Sequence, residues 1–343
     1  DFDQPLVLDG GRVYLRRYWR DEKLVADTIR TRAAKVREVD LEKVKGEVET
    51  LFGPGRSGDA PDWQKLACTI ALRGSVSIIT GGPGTGKTYT VARLIALLFA
   101  TSSDAQHLRI ALAAPTGKAA ARLKQSIDKA LVELAAKVGD ALPLKELAAR
   151  MGAARTLHSL LGARPDTRSF AHNKGNPLDV DVLIVDEASM VHLEMMASLL
   201  DALPPHAALV LLGDKDQLAS VEAGAVLGDL CHDAQAGGYT RATLDYALAA
   251  SGEAIPADYT GNGGPLAQQT VMLRHSRRFG GPIGQLALAV NAGDVARASE
   301  VVFTMVTAGA DVESVALGPD GIVQSDLPGM IVVDMSTISP AIA

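Results

Sequence analysis

Four short runs of the chain are predominantly apolar and β-branched, and each ends in a polar or glycine-rich segment. They are Val76–Thr80, Ile110–Ala114, Val182–Val185 and Ala208–Leu212. Runs of this length without strict alternation predict strands buried on both faces, as in a parallel sheet covered by helices. After the first run, Val91, Leu94, Ile95 and Leu98 fall at helical spacing. Strands that alternate with helical stretches predict an α/β fold, a parallel sheet with helices on both faces.

Other patterns frame that core. Leu6-Val7-Leu8 and Val13-Tyr14-Leu15 flank Gly10-Gly11 and predict a small hairpin. A basic stretch runs from Arg12 to Arg37, with Leu24, Val25 and Ile29 as its apolar stripe; a solvated helix face and a docking surface for nucleic acid or a partner both fit it. Residues 52–58 read as a linker, so residues 1–55 are expected as a small N-terminal domain and 56–270 as the main domain. Asp62 is placed to cap a helix that starts at Trp63. Residues 162–179 read as a surface loop or ribbon. Residues 232–270, with Gly237-Gly238, Gly252 and Gly261-Asn262-Gly263-Gly264, read as a flexible insertion.

Composition narrows the class. The chain has 343 residues, 47% of them hydrophobic, enough for two domains or one large domain with an appendage. No apolar run spans a bilayer, no signal peptide opens the sequence, and no membrane contact is expected. Two cysteines, Cys68 and Cys231, suit a reducing cytoplasm. The net charge of −6 offers no global attraction to nucleic acid, so any such contact must be local.

The chemistry concentrates at strand ends. Gly81–Thr88 reads GGPGTGKT and fits the phosphate-loop pattern, with a strand before it and a helix after it. Backbone amides of Gly82, Pro83, Gly84, Thr85 and Gly86, proline's excepted, can close around phosphate oxygens. Lys87 is placed for the β/γ-phosphates of ATP, and the Thr88 hydroxyl for Mg²⁺. Val182–Val185 runs into Asp186 and Glu187, which suit a metal holder and a general base that activates water. Gln217, after the strand at 208–212, is positioned to sense a γ-phosphate. Thr116, Gly117 and Lys118 follow the strand at 110–114, on the ligand-binding edge of an open sheet, where they could meet a sugar-phosphate backbone. Gln64, 17 residues before Gly81, has an amide suited to an adenine edge, though taken alone it reads as an ordinary surface residue. His158 reads as a packed residue, and no zinc spacing is present.

The ordered set GGPGTGKT, APTGKAAARL, TLHSLLG, VLIVDEASMV, LLGDKDQLASVEAGAVLGDL and LRHSRRF resembles the RecD family, the alpha subunit of exodeoxyribonuclease V and a superfamily 1 DNA helicase. The resemblance covers residues 1 to about 297. It implies a RecA-like phosphate-loop NTPase that hydrolyses ATP with Mg²⁺ and moves 5′ to 3′ along single-stranded DNA, in a heterotrimer with RecB-like and RecC-like subunits. It also assigns partner contact to the N-terminal domain, residues 1–55. Carried over by position, it implies that Gln64 contacts adenine, that Thr156 joins Thr116 and Lys118 along the DNA, and that Arg278, with Arg277 as fallback, reaches the γ-phosphate.

Beyond LRHSRRF the resemblance stops. Residues 271–299 are expected to begin a second helicase domain that is truncated. From about Val301 the chain is similar to an internal piece of a 3-hydroxyisobutyrate (β-hydroxyacid) dehydrogenase, ending in DMSTISP. That family's glycine-rich dinucleotide turn and its catalytic lysine region have no counterpart here. Three function classes follow: a DNA helicase subunit, whose truncation implies weak Mg·ATP binding and little hydrolysis alone; a non-catalytic nucleotide-dependent binding subunit; and a nicotinamide-dependent dehydrogenase fragment.

Overall fold

A computed structural model describes residues 4–53, 60–164, 169–215 and 226–274 and, further along, 301–304, 309–318, 322 and 331–334. The chain divides into two units, residues 1–275 and 276–343.

In the first unit the hairpin is β1 (Leu6–Asp9) and β2 (Arg12–Leu15). The apolar runs become β3 (Val76–Thr80), β4 (Ile110–Ala114), β6 (Val182–Val185) and β7 (Ala208–Gly213). Two short strands, β5 (Arg155–Thr156) and β8 (Thr270–Met272), close the edges. The sheet order is β5-β4-β6-β7-β3-β8, with every pairing parallel.

Each central strand feeds two cores. Ile79, Leu112, Val182, Ile184, Val210 and Leu212 point to one face. Ile78, Ala113, Leu183, Val185, Leu209 and Leu211 point to the other. The first face is covered by α2 (Leu41–Phe52), α3 (Trp63–Arg73), α4 (Lys87–Thr101), α5 (Gly117–Val138), α6 (Leu144–Arg150) and α10 (Arg241–Ser251). The second is covered by α1 (Arg16–Ala33), α7 (Leu157–Leu161), α8 (Leu193–Ala202) and α9 (Val226–Leu230). A strand with no solvent face must be apolar on both, which is why these runs do not alternate.

Two boundaries differ from the sequence expectation. Residues 16–53 are no separate domain: α1 buries Val25, Ile29 and Ala33 on one side of the sheet, and α2 buries Val44, Val48 and Leu51 on the other. Arg32, 5% exposed, donates to the carbonyls of Leu203 (3.0 Å), Pro204 (2.7 Å) and Ala207 (2.7 Å) beyond α8, which fastens α1 to the core. The basic stretch therefore has a packed side as well as a solvated one.

The segment 232–270 is likewise folded rather than loose. Its helix α10 packs on α2 and α3, Tyr239 is fully buried with its hydroxyl donating to Thr270 O (2.7 Å), and Tyr246 donates to Thr69 O (2.8 Å). Its glycines serve close approach: a Cβ at Gly263 would lie 2.8 Å from Gly238 O.

In the second unit, β9 (Val301–Thr304) and β10 (Ile331–Asp334) pair in parallel, with α11 (Gly309–Leu317) between them in sequence. Ile331 and Val332 remain 58% and 44% exposed despite that pairing. Among the described residues, no helix is long and apolar enough to cross a membrane.

Candidate nucleotide and nucleic-acid site

Parallel strands bring their C-terminal ends to one edge, and the chemistry predicted from sequence gathers there. After β3 the chain turns through Gly81–Gly86 into α4, whose first residues are Lys87 and Thr88. Gly84 and Gly86 adopt left-handed backbone (φ 75° and 85°), which turns the loop over the N-terminus of α4. That end of a 15-residue helix carries partial positive charge, and Gly86, its N-cap, has no side chain to cap it. Lys87 folds back on its own loop, donating to the carbonyls of Gly81 and Gly82. Burial lowers the Lys87 ammonium below the usual lysine range, against the opposing pull of Asp214, Asp186 and Glu187. A partly buried ammonium gains from any anionic partner that replaces lost hydration.

The acidic pair stands two strands away. β6 ends beside β7, and β7 lies between β6 and β3. The Asp186 amide donates to Ala113 O (2.9 Å), and the Asp186 carboxylate accepts the Glu187 amide (2.9 Å). Burial raises the Asp186 carboxyl above its ordinary range, and the charge of Glu187 adds to the rise. Glu187 sits at φ 51°, ψ 39°, the one non-glycine residue in left-handed backbone among the described residues. Such strain persists only where the surroundings over-determine it, and it clusters at functional sites. Nothing in the sequence marks it.

Gln64 is placed differently from a surface residue. It lies on the first turn of α3, 4% exposed, and its Nε2 donates to the carbonyls of Thr85 (3.1 Å) and Gly86 (3.4 Å). Two carbonyl partners fix which end of the amide is nitrogen. Its Oε1 is buried without a partner. The Asp62 carboxylate caps this helix, accepting the Gln64 and Lys65 amides.

The residues expected along nucleic acid also share the edge. Thr116 caps α5 and accepts the Ala119 amide (3.2 Å); Thr156 caps α7 and accepts the Ser159 amide (3.1 Å). The pairing of Ala114 with Thr156 puts these helix starts on adjacent strands. Capping engages each oxygen as an acceptor and leaves the hydroxyl proton to donate. Gly117, Lys118 and Arg155 are exposed nearby, and a Cβ on Gly117 would meet no atom within 4 Å. His158, expected to be packed, is exposed, with its ring edge-on to Phe170 at 6.0 Å. Gln217, Arg277 and Arg278 lie outside the described residues.

Sequence reasoning missed Arg274, just past β8. Its guanidinium lies 3.8 Å from the Tyr259 ring centroid and 4.8 Å from that of Trp63. It also missed the Lys65–Glu253 ion pair (3.3 Å), in which Lys65 is almost fully buried. Both join α3 to the segment read as a flexible insertion.

Comparison with known proteins gives this arrangement a lineage. Residues 64–223 match a family described as an AAA domain. The RecBCD enzyme subunit RecD of Haemophilus influenzae is 40% identical over 283 residues, covering 80% of this chain and 42% of the relative. That of Mycolicibacterium smegmatis is 42% identical over 304 residues, covering 87% and 46%. Over most of its length the chain is a RecD homologue. It spans less than half the length of these RecD relatives. The ATP-dependent RecD2 DNA helicase of Deinococcus radiodurans is 34% identical over 247 residues, covering 72% of this chain and 29% of that protein. The Pif1 helicase structure from Candida albicans covers 75% of this chain and 53% of its own at 18% identity and a TM-score of 0.36, too low to add weight to the strand order described above. Residues 271–343 match the NAD binding domain of 6-phosphogluconate dehydrogenase, in keeping with the dehydrogenase-like character of the RecD homologue's last residues.

Proposed function

We propose that this chain supplies the nucleotide-hydrolysing domain of an ATP-dependent DNA helicase subunit of the RecD kind, coupling ATP hydrolysis to 5′–3′ movement on single-stranded DNA during break repair and recombination. The observation that carries this reading is a phosphate loop, a half-buried carboxylate pair and two threonine-capped helix starts along one edge of a parallel sheet. The strand order, with β7 between the loop strand and the carboxylate strand, supports it.

The donor set fits Mg·ATP. Lys87 exchanges the carbonyls of Gly81 and Gly82 for phosphate oxygens, and the α4 amides hold the same oxygens. Thr88 and Asp186 would hold Mg²⁺; among the described residues no group of three or more His, Cys, Asp or Glu side chains could hold a metal without the nucleotide's own oxygens. Bound Mg·ATP supplies the phosphoanhydride to be cleaved and divalent charge to neutralise it. Glu187 would orient water and accept its proton, and the family resemblance alone gives Gln217 the role of γ-phosphate sensor and Arg278 that of the charge-stabilising arginine. The orphaned Gln64 Oε1 matches the donor amine of adenine. Thr116, Lys118 and Thr156 donate to DNA phosphates, and Gly117 leaves room for the backbone.

The hairpin supports partner docking: Leu6, Leu8, Val13 and Leu15 share one face by their pairing and are 48–75% exposed. RecB-like and RecC-like subunits in the cytoplasm are the proposed partners. The parallel β9–β10 pair and the match over residues 271–343 support reading the C-terminal unit as a dehydrogenase-like fragment.

Calorimetry with Mg·ATP on the chain and on Lys87→Ala tests the central claim. Loss of the binding heat in the variant is expected, and retention of the parent's heat overturns the reading. ATP turnover with and without single-stranded DNA then separates a motor from a nucleotide-dependent binding subunit.

A further inference from the structure

The phosphate loop is braced at both ends, and the two braces touch. At its start, Leu273 donates its amide to Thr80 O (2.8 Å), and Leu273 O stands 2.9 Å from where a Cβ on Gly81 would lie. At its end, Gln64 holds the carbonyls of Thr85 and Gly86. The residue after the first brace is Arg274 and the residue before the second is Trp63, and these two stack at 4.8 Å. Tyr259 completes the stack, 3.8 Å from the guanidinium and edge-to-face with Trp63 at 5.1 Å. Nη2 of Arg274 donates to Gln235 O (2.8 Å) and Ala234 O (3.3 Å), so the guanidinium is held in one place.

We propose that Arg274 is a positioning residue for base recognition: by clamping Trp63 it fixes the pose of Gln64 and so sets a preference for adenine over guanine. The inference rests on the nucleotide-binding reading above. Its chemistry is the lone Gln64 acceptor. Adenine offers an amine donor where guanine offers a carbonyl, and an acceptor facing an acceptor is left unpaired. Truncating Arg274 frees the first turn of α3, so Gln64 no longer presents that acceptor at a fixed point. Because Gln64 also braces the loop at Thr85 and Gly86, any loosening of the phosphate grip weakens all ligands alike, whereas the ratio of adenine to guanine nucleotide affinity reports the acceptor alone.

Dissociation constants of Mg·ADP, Mg·GDP and magnesium pyrophosphate, measured by calorimetry on the full chain, test this. The parent is expected to prefer ADP to GDP by about tenfold, the worth of one discriminating hydrogen bond. Arg274→Ala and Gln64→Ala are both expected to bring that ratio close to one, with any loss of pyrophosphate affinity shared equally by ADP and GDP. Arg274→Lys keeps a cation over Tyr259 but not the fixed planar fork, and an intermediate ratio is expected; it carries the test if the alanine variant does not fold. An Arg274 variant that folds, binds pyrophosphate and keeps the parent's full base preference overturns the inference alone. A parent chain that binds none of the three ligands overturns the nucleotide-binding reading and this inference with it.

Discussion

Glu187 offers the most direct test of whether the site stores strain. A left-handed backbone costs a residue with a Cβ roughly 1–2 kcal/mol relative to the right-handed regions. Glycine adopts it freely but gives back about 0.5–1 kcal/mol through the greater freedom of the unfolded chain. Glu187→Gly is therefore expected to exceed Glu187→Gln in stability by about 0.5–1 kcal/mol. Both variants delete the charge beside Asp186, so their difference reports the backbone at φ 51° together with the loss of one half-exposed side chain. Both tryptophans, Trp19 and Trp63, lie in the first unit, and fluorescence during urea unfolding reports that unit alone. Both variants are expected to lose ATP turnover because neither can accept a proton from water. A glycine variant no more stable than the glutamine one refutes the reasoning, since the φ value would then carry no energy.

Three further outcomes are expected. Burial holds the Asp186 carboxyl above its ordinary range, so its ionised form opposes folding: the penalty is absent below about pH 4, grows as pH rises toward the raised folded value, and persists at neutrality. Nucleotide-free Asp186→Asn should therefore melt above the parent at neutral pH, with the two curves converging near pH 3, and a parent that melts higher at pH 7 contradicts this. Gly86→Ala puts a Cβ 2.3 Å from Gln64 Nε2 at φ 85°, and its cost, about 2 kcal/mol or more, should fall to the backbone share of about 1 kcal/mol in a Gln64→Ala background, read from a double-mutant cycle of urea midpoints. Arg32→Ala takes the guanidinium from three carbonyls, of which Pro204 O keeps the Ala207 amide, and is expected to cost roughly 2 kcal/mol in the same assay; a loss under about 0.5 kcal/mol would mean that α1 is only loosely attached.

The central strands were legible in the sequence because burial on both faces leaves nothing to alternate, and β3, β4, β6 and β7 fall where the apolar runs do. The phosphate loop was legible because its conformation is local: glycine spacing, the lysine and the flanking strand and helix all lie within one stretch. The edge strands were not. β5 is two residues long and polar, and β8 is three residues that follow a glycine-rich segment.

That segment shows where local reading fails. Glycine and asparagine in 232–270 are compatible with a loose loop and with tight backbone contact, and composition cannot tell these apart. What decides is the partner. Arg73 donates to Thr243, Tyr246 to Thr69 and Lys65 to Glu253, and each pair is separated by 170 residues or more. The same holds at the site. The hold of Gln64 on the loop carbonyls and the Arg274 stack are each made with residues distant in the chain, and each bears on a group that a motif had already named. Motifs thus disclose which groups meet the nucleotide, whereas the contacts that set their energies are made by residues with no motif. Substitutions at Arg274, Glu253 or Tyr259 are accordingly expected to change selectivity or poise while every recognisable signature of the site stays intact.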